Sequence, residues 1–461
     1  MRQSPLSRAT HLLRRLREVP RDVAETRSVS HEVRDSQHHV AHQGHLDSLA
    51  VLDAVNYSIR RRPLTGARTK VLVLVHHIEA WDSLGSLVDE LSRADDFEVV
   101  VASIPRHFRG AEGFVDEDLV HEGLASRGVP HLRFSHGDDA DRLAVVRALS
   151  PDIIFRQSQW DADVPSAYST RNLAFARLCL VPYEMIGLIE NVPLHGVDDT
   201  AVDERYHRIA WRVFCAGEHA RAVAAAHGSL GGAQFVATGH PKADRLRSVQ
   251  PGWPVRRPDG QAPRQRIVWS AHHTVSEGWT NFGMAHLVVD DMLAWARSAP
   301  DVDFVFMPHP ALAPFVRDDA SLLSGARYDA FVSDWCALPN ATIYEGGDYA
   351  PVLAASDVMV TDGLSMLVEY QFMGKPLVFL ERPDHRPFND AGRLLLSGVK
   401  VAPDVDQARS IISLLTDEDR ADIARRQSEN VRALFHEGPA APRILAELRE
   451  AVALDQVDSA R

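Results

Sequence analysis

The sequence predicts an α/β protein of two doubly wound, Rossmann-like units facing a cleft, with a helical extension before them and helices after them. Three observations predict it. A chain of 461 residues exceeds what one ordinary core holds. From Lys70 onward, short apolar runs alternate with amphipathic segments, the pattern of parallel strands and their crossover helices. One stretch, residues 248–266 ("SVQPGWPVRRPDGQAPRQR"), carries four prolines and two glycines with no apolar periodicity, and it divides the alternation in two.

The elements follow in order. Residues 1–65 differ in composition from the rest and are expected to be helical. Leu12, Leu13 and Leu16 flanked by Arg8, Arg14, Arg15 and Arg17 make a short basic amphipathic turn with at most a weak hold on anionic lipid. His38, His42, His45, Leu49, Leu52, Asn56 and Ile59 then alternate spacings of four and three, a seam barely three heptads long. It suits packing on the body or self-association into a homo-oligomer. Residues 66–247 form the first unit: Val71 to Val75 is a continuous apolar run, as in a buried parallel strand, followed by a helix over Ser83 to Arg93 and a strand over Glu98 to Ile104. Helices over Asp116 to Ser126 and Asp138 to Leu149, and strands at Ile153, "LCLVPY", Val213 and Phe235, continue the pattern. After the linker, residues 267–436 repeat it with "IVWSAHH", "VDFVFMPHP", "ATIYEG", "DVMVTDG", "PLVFLE" and Val399 to Ala402. Residues 437–461 close the chain as a helix. Two such units joined by one linker are the outline of the GT-B fold, shared by flavodoxin-like pairs and periplasmic binding proteins, so the outline alone does not fix a function.

Composition excludes several classes. A formal charge of −13 lacks the basic footprint that nucleic acid demands. No apolar run approaches the ~20 residues of a membrane helix, and the N-terminus lacks a signal-peptide core. Cys179, Cys215 and Cys336 lie far apart in mostly apolar settings and read as reduced thiols. The expectation is a cytoplasmic protein, peripheral at most to the inner face of the membrane.

Ligands of doubly wound sheets bind beyond the carboxyl ends of the strands, so the residues standing there are the informative ones. In the second unit these are His272-His273-Thr274, His309-Pro310 and Thr361-Asp362-Gly363-Leu364-Ser365. They suit a pyrophosphate. Gly363 to Ser365 opens a helix toward an anion, Ser365 adds a hydroxyl, and the imidazoles of His272 and His309 hydrogen-bond phosphate oxygens or protonate a departing one. Asp362 is expected to cap the helix or orient a histidine. Glu369, two turns on, either accepts ribose hydroxyls or pairs with Lys375. His240, in "TGHPKADRL", faces the cleft or shapes a turn. The Asp-x-Asp pairs Asp139/Asp141 and Asp161/Asp163 are the frequency expected among 63 acidic residues, and no Walker loop, glycine fingerprint or zinc spacing appears. The expectation is therefore a metal-independent site with no cofactor beyond the nucleotide substrate.

The segments "VATGHPKADRL", "IVWSAHHT", "FVFMPHP", "GGDYAPVLAASDVMVTDGLSMLVEYQFMGKPLVFL" and "FNDAG" together resemble the CDP-glycerol glycerophosphotransferase family, GT-B enzymes that build teichoic-acid-like and capsular polymers. The resemblance runs from about Lys70 to Leu434 and is densest from Gly239 to Gly392. It implies that His309 and the Asp362–Ser365 turn bind the donor pyrophosphate, with His272 and His273 beside them and Glu369 near the nucleoside. It implies a CDP-linked donor and a glycan or polyol-phosphate acceptor. The family's teichoic polymerases carry a Trp-His-Gly element whose histidine is the base; here the comparable strand end reads "VPYEMIG". His76, His77, Asp161 and Glu184 are the replacements. The expected reaction moves a polyol-phosphate from a CDP-activated donor to a hydroxyl of a growing envelope or capsular glycan. A nucleotide-sugar glycosyltransferase and a non-catalytic nucleotide- or glycan-binding protein are the alternatives.

Overall fold

The computed structural model describes residues 48–60, 68–135, 137–190, 199–256, 265–278, 280–345 and 347–459. The basic turn at Leu12 to Leu16, the seam's histidines and much of the proline-rich linker lie outside them. The chain forms two compact units, Met1–Ile59 and Arg60–Arg461. In the first, the described part is helical from residue 48 and carries the seam positions Leu49, Leu52, Asn56 and Ile59. Among the described residues no helix is long and apolar enough to cross a membrane.

The second unit contains two all-parallel sheets. The first has seven strands: β1 (Thr69–Val75), β2 (Phe97–Ser103), β3 (Leu132–Arg133), β4 (Ile153–Arg156), β5 (Arg177–Leu180), β6 (Arg212–Cys215) and β7 (Phe235–Ala237), in the order β3-β2-β1-β4-β5-β6-β7. The second has six: β8 (Gln265–Ala271), β9 (Val302–Pro308), β10 (Ala341–Ile343), β11 (Val358–Thr361), β12 (Leu377–Leu380) and β13 (Lys400–Ala402), in the order β10-β9-β8-β11-β12-β13. Both orders reverse beside their first strand, between β1 and β4 and between β8 and β11. A crevice therefore opens at the carboxyl ends of those strands. The fold class expected from the sequence, two α/β domains each built on a parallel sheet, is met.

The central strands are apolar on both faces because helices cover both. Val71 to Val75 are all buried, in register with β2 at Val71–Val99 and with β4 at Val71–Ile153. In the second sheet Trp269 stacks on Phe306 at 4.4 Å between centroids, and Phe331 and Trp335 meet it from the helix Gly325–Cys336. The C-terminal region is three helices, Val405–Leu414, Asp417–Leu434 and Ala440–Ser459. The last returns to the first sheet, where Ala441, Ile444, Leu445 and Leu448 join the core of β1 and β4.

The halves are stitched near the cleft. Ile189 bridges Phe388 antiparallel, with Glu190 N–H donating to Pro387 O and Asn389 N–H to Leu188 O, both at 2.9 Å. Gly392 of "FNDAG" sits there because a Cβ would stand 2.6 Å from Leu188 O, so the backbone can approach only if that residue is glycine.

Candidate functional site

The strand ends of both sheets enclose a cavity of about 460 Å³, the size class of a small-molecule site. From the second sheet it is lined by His272 after β8, His309 after β9, and Gly363, Ser365 and Glu369 after β11. From the first come Glu79, Arg106 and Tyr183, with Lys242 from the helix Pro241–Ser248.

The two cavity histidines have defined roles. His309 Nδ1 accepts the Ala311 N–H at 3.1 Å. His272 Nδ1 accepts the Thr274 N–H at 3.3 Å, and Thr274 Oγ1, which accepts the Gly283 N–H, lies 2.8 Å from the same nitrogen. Each neutral ring thus carries its proton on Nε2. Burial, then the neighbouring His273 and His272, holds His309 well below the usual histidine range, and burial then His273 does the same for His272. Both are uncharged N–H donors at neutral pH. His273 completes the cluster, its ring 4.5 Å from His272 and 4.3 Å from His309; burial lowers it to about 4.

Asp362 sets the cluster in place through the backbone. Its carboxylate accepts the N–H of His272 at 2.7 Å and that of Met284, tying β8's end to β11's. The helix N-cap is Gly363, and no side chain caps that helix. The capping role expected of Asp362 is therefore corrected to that of a backbone clamp. Burial pushes it up to about 7 against those two amide bonds. Leu364 and Ser365 begin the short helix Leu364–Glu369, and Ser365 faces the cavity.

The cations of the cavity are paired. Lys242 Nζ donates to Glu369 at 2.8 Å and to Tyr183 O at 3.0 Å, and Tyr349 Oη donates to the other Glu369 oxygen at 2.7 Å. Arg106 donates to both oxygens of Glu79 and to Asp116. Burial raises the Glu79 carboxyl, but Arg106 outweighs that and holds it below the usual range. The expected Glu369–Lys375 pair does not form: Lys375 donates to Ala354 O and Ser356 O, capping the helix Ala350–Ala355 from outside the cavity.

Other sequence candidates are placed elsewhere. His240 caps its helix, Nδ1 accepting Lys242 N–H and Nε2–H donating to Pro182 O at 2.8 Å. It shapes the turn that delivers Lys242 and has no ring nitrogen left for a donor. Asp161 accepts from Arg156 and from both the N–H and hydroxyl of Thr170. Burial raises it, Arg156 and Thr170 more than offset this, and it serves as an ion-pair partner. Glu184 lines a separate small cavity with Gln159 and Asp199, where burial raises its carboxyl. His76 and His77 stand behind the main cavity wall, with His77 5.2 Å from the Tyr183 ring. Among the four bases expected from sequence, none lines the cavity. Arg106, Lys242 and Tyr349 do, and sequence reasoning missed them. Arg106 had a signal, since it follows the end of β2. Lys242 lay inside a quoted motif.

No protein-family profile and no curated sequence matches the chain. Solved structures do match its shape. A putative UDP-N-acetylglucosamine 2-epimerase from Listeria monocytogenes superposes with TM-score 0.55 at 16% identity, covering 84% of this chain and 97% of that one. The UDP-GlcNAc 2-epimerase from Neisseria meningitidis bound to UDP-GlcNAc gives 0.54 at 14%, covering 83% and 100%. The wall teichoic acid polymerase TagF gives 0.49 at 11%, covering 86% and 91%. At these identities the likeness is one of fold. The chain has a GT-B-like architecture: two parallel-sheet domains with the cleft between them.

Proposed function

We propose that this cleft binds a nucleoside-diphosphate-linked donor and that the chain transfers the activated group together with the distal phosphate to an acceptor hydroxyl, breaking the pyrophosphate bond and releasing the nucleoside monophosphate. The observation that carries this reading is the convergence of the Nε2–H groups of His272 and His309 with Ser365 on one cavity at the sheets' carboxyl ends. Neutral donors of this kind stabilise phosphate oxygens where the nearby cations are already paired. His309, protonated on Nε2, donates to the phosphate and is not the base. Glu369 is held by Lys242 and Tyr349, which directs it away from ribose recognition.

The motifs quoted from the sequence favour a CDP-activated polyol-phosphate donor, with a hydroxyl of an envelope or capsular glycan as acceptor at the inner face of the membrane. The fold likeness to proteins named for UDP-GlcNAc favours a second reading, an enzyme acting on a UDP-linked sugar. Thermal-shift titration with CDP-glycerol, CDP-ribitol, UDP-GlcNAc and CMP, followed by turnover of whichever stabilises, separates them. Stabilisation by CDP-polyols with release of CMP on adding acceptor supports the first reading. Stabilisation by UDP-GlcNAc alone supports the second. Binding without turnover makes the chain a binding protein, and no stabilisation by any of the four refutes the donor site.

A further inference from the structure

The turn after β1 places two adjacent imidazoles against a carboxylate from a different part of the first sheet. His76, His77 and Asp163 each offer a ligand atom, and these atoms lie within 4.8 Å of one another. His77 Nε2 is 3.8 Å from Asp163 Oδ2. The backbone carrying both rings is fixed: Gln157 Oε1 accepts the N–H of His76 and of His77 at 3.0 Å, and its amide donates to His77 O. The His76 ring, by contrast, is completely buried and neither of its nitrogens has a hydrogen-bond partner. A buried polar ring left unpartnered is destabilising, so something that accepts a nitrogen lone pair explains it better than empty space.

We propose that His76, His77 and Asp163 bind a divalent transition-metal cation of the zinc class. Two imidazoles and one carboxylate are a three-residue set that leaves an open coordination position. Zinc bonds of about 2.0–2.2 Å put ligand atoms roughly 3.3 Å apart, so binding closes the set modestly. Charge favours a cation. The groups around the turn are the carboxylates of Asp163, Glu79, Asp116 and Asp161 and the guanidiniums of Arg106 and Arg156, of which Arg156 is taken up by Asp161. The Arg106 guanidinium is taken up by Glu79 and Asp116, and its 3.4 Å approach to His77 Nδ1 is a weak contact. Ser158 Oγ donates to Asp163 Oδ2 at 2.8 Å, the kind of support that orients a ligating carboxylate. The site lies one ring behind the cavity wall at Tyr183 and does not depend on which donor the cavity takes.

The test uses the full chain, stripped with chelator and titrated with Zn²⁺ against a chromophoric competitor, with Co²⁺ spectra in parallel. His38, His42 and His45, and the hydrogen-bonded His121–His131 pair, are other places for zinc. The background therefore carries alanine at those five positions. In it, one equivalent of Zn²⁺ is expected at micromolar affinity or tighter, with a Co²⁺ visible spectrum. Asp163→Asn and His77→Gln are each expected to weaken binding at least about 100-fold. No stoichiometric zinc in the background chain, or equal affinity in it and in both folded variants, overturns the proposal. Absence of stoichiometric zinc from the background chain overturns the proposal even if a variant fails to fold.

Discussion

Lys242→Met tests the arrangement at the floor of the cavity. Lys242 comes from the helix that follows the first sheet, and Glu369 from the helix after β11. Their side chains are 5% and 1% exposed and 2.8 Å apart. The substitution leaves Glu369 buried with one remaining hydrogen bond, from Tyr349. Removing one partner of a buried ion pair costs about 3–5 kcal/mol, because the surviving charge has lost its compensation. Replacing both partners with methionine removes the stranded charge and should recover most of that loss. The double-mutant cycle is thus expected to show a coupling of at least ~2 kcal/mol. The assay is urea unfolding followed by circular dichroism and by tryptophan fluorescence. Trp269 reports the second sheet, and coincident transitions are required before free energies are compared. A cost below about 1 kcal/mol for Lys242→Met, or a double variant as destabilised as the sum of the singles, would refute the reasoning.

Three further outcomes are expected. His309→Ala and Ser365→Ala should each lower transfer about 10²–10³-fold, measured with whichever donor stabilises the chain, while melting normally; full activity in both would remove them from the site. Asp82 is raised to about 6, by burial and then by Asp348. A raised carboxyl keeps its proton in the folded state after the unfolded chain has released it, so its contribution is lost as pH rises from about 4 to 6. Asp82→Asn should therefore raise the melting temperature at pH 7.5 and not at pH 4, and equal effects at both would contradict this. His207 and His240 are lowered to about 3 by burial. Unfolded histidines take protons near 6.5 and these do not, so each should withdraw about 2 kcal/mol of stability between pH 6.5 and 5. A urea midpoint that stays flat from pH 7 to 5 would show that they are not buried and neutral.

The sequence by itself determined the repeating architecture. Val71 to Val75, Ile267 to Trp269 and Phe304 to Met307 are apolar on every residue, and only strands covered on both faces need that. It also placed His272, His309 and Ser365 at strand ends, because crossover connections put those ends on one side of a sheet. Tertiary structure decided which residues meet. Glu369 and Lys375 stand six residues apart and suggest a pair, yet Glu369 takes its partner from Lys242, 127 positions earlier, because the two halves close on each other there. Asp161 and Asp163 look alike in sequence. Folding turns one toward Arg156 and Thr170 and the other toward His77. Strand β3, two residues long and exposed, has no apolar run to announce it. A local pattern records what each element must bury, which is a property of its own residues. The partner of a buried charge depends on the distance between elements far apart in the chain, and that distance exists only once the sheets have packed.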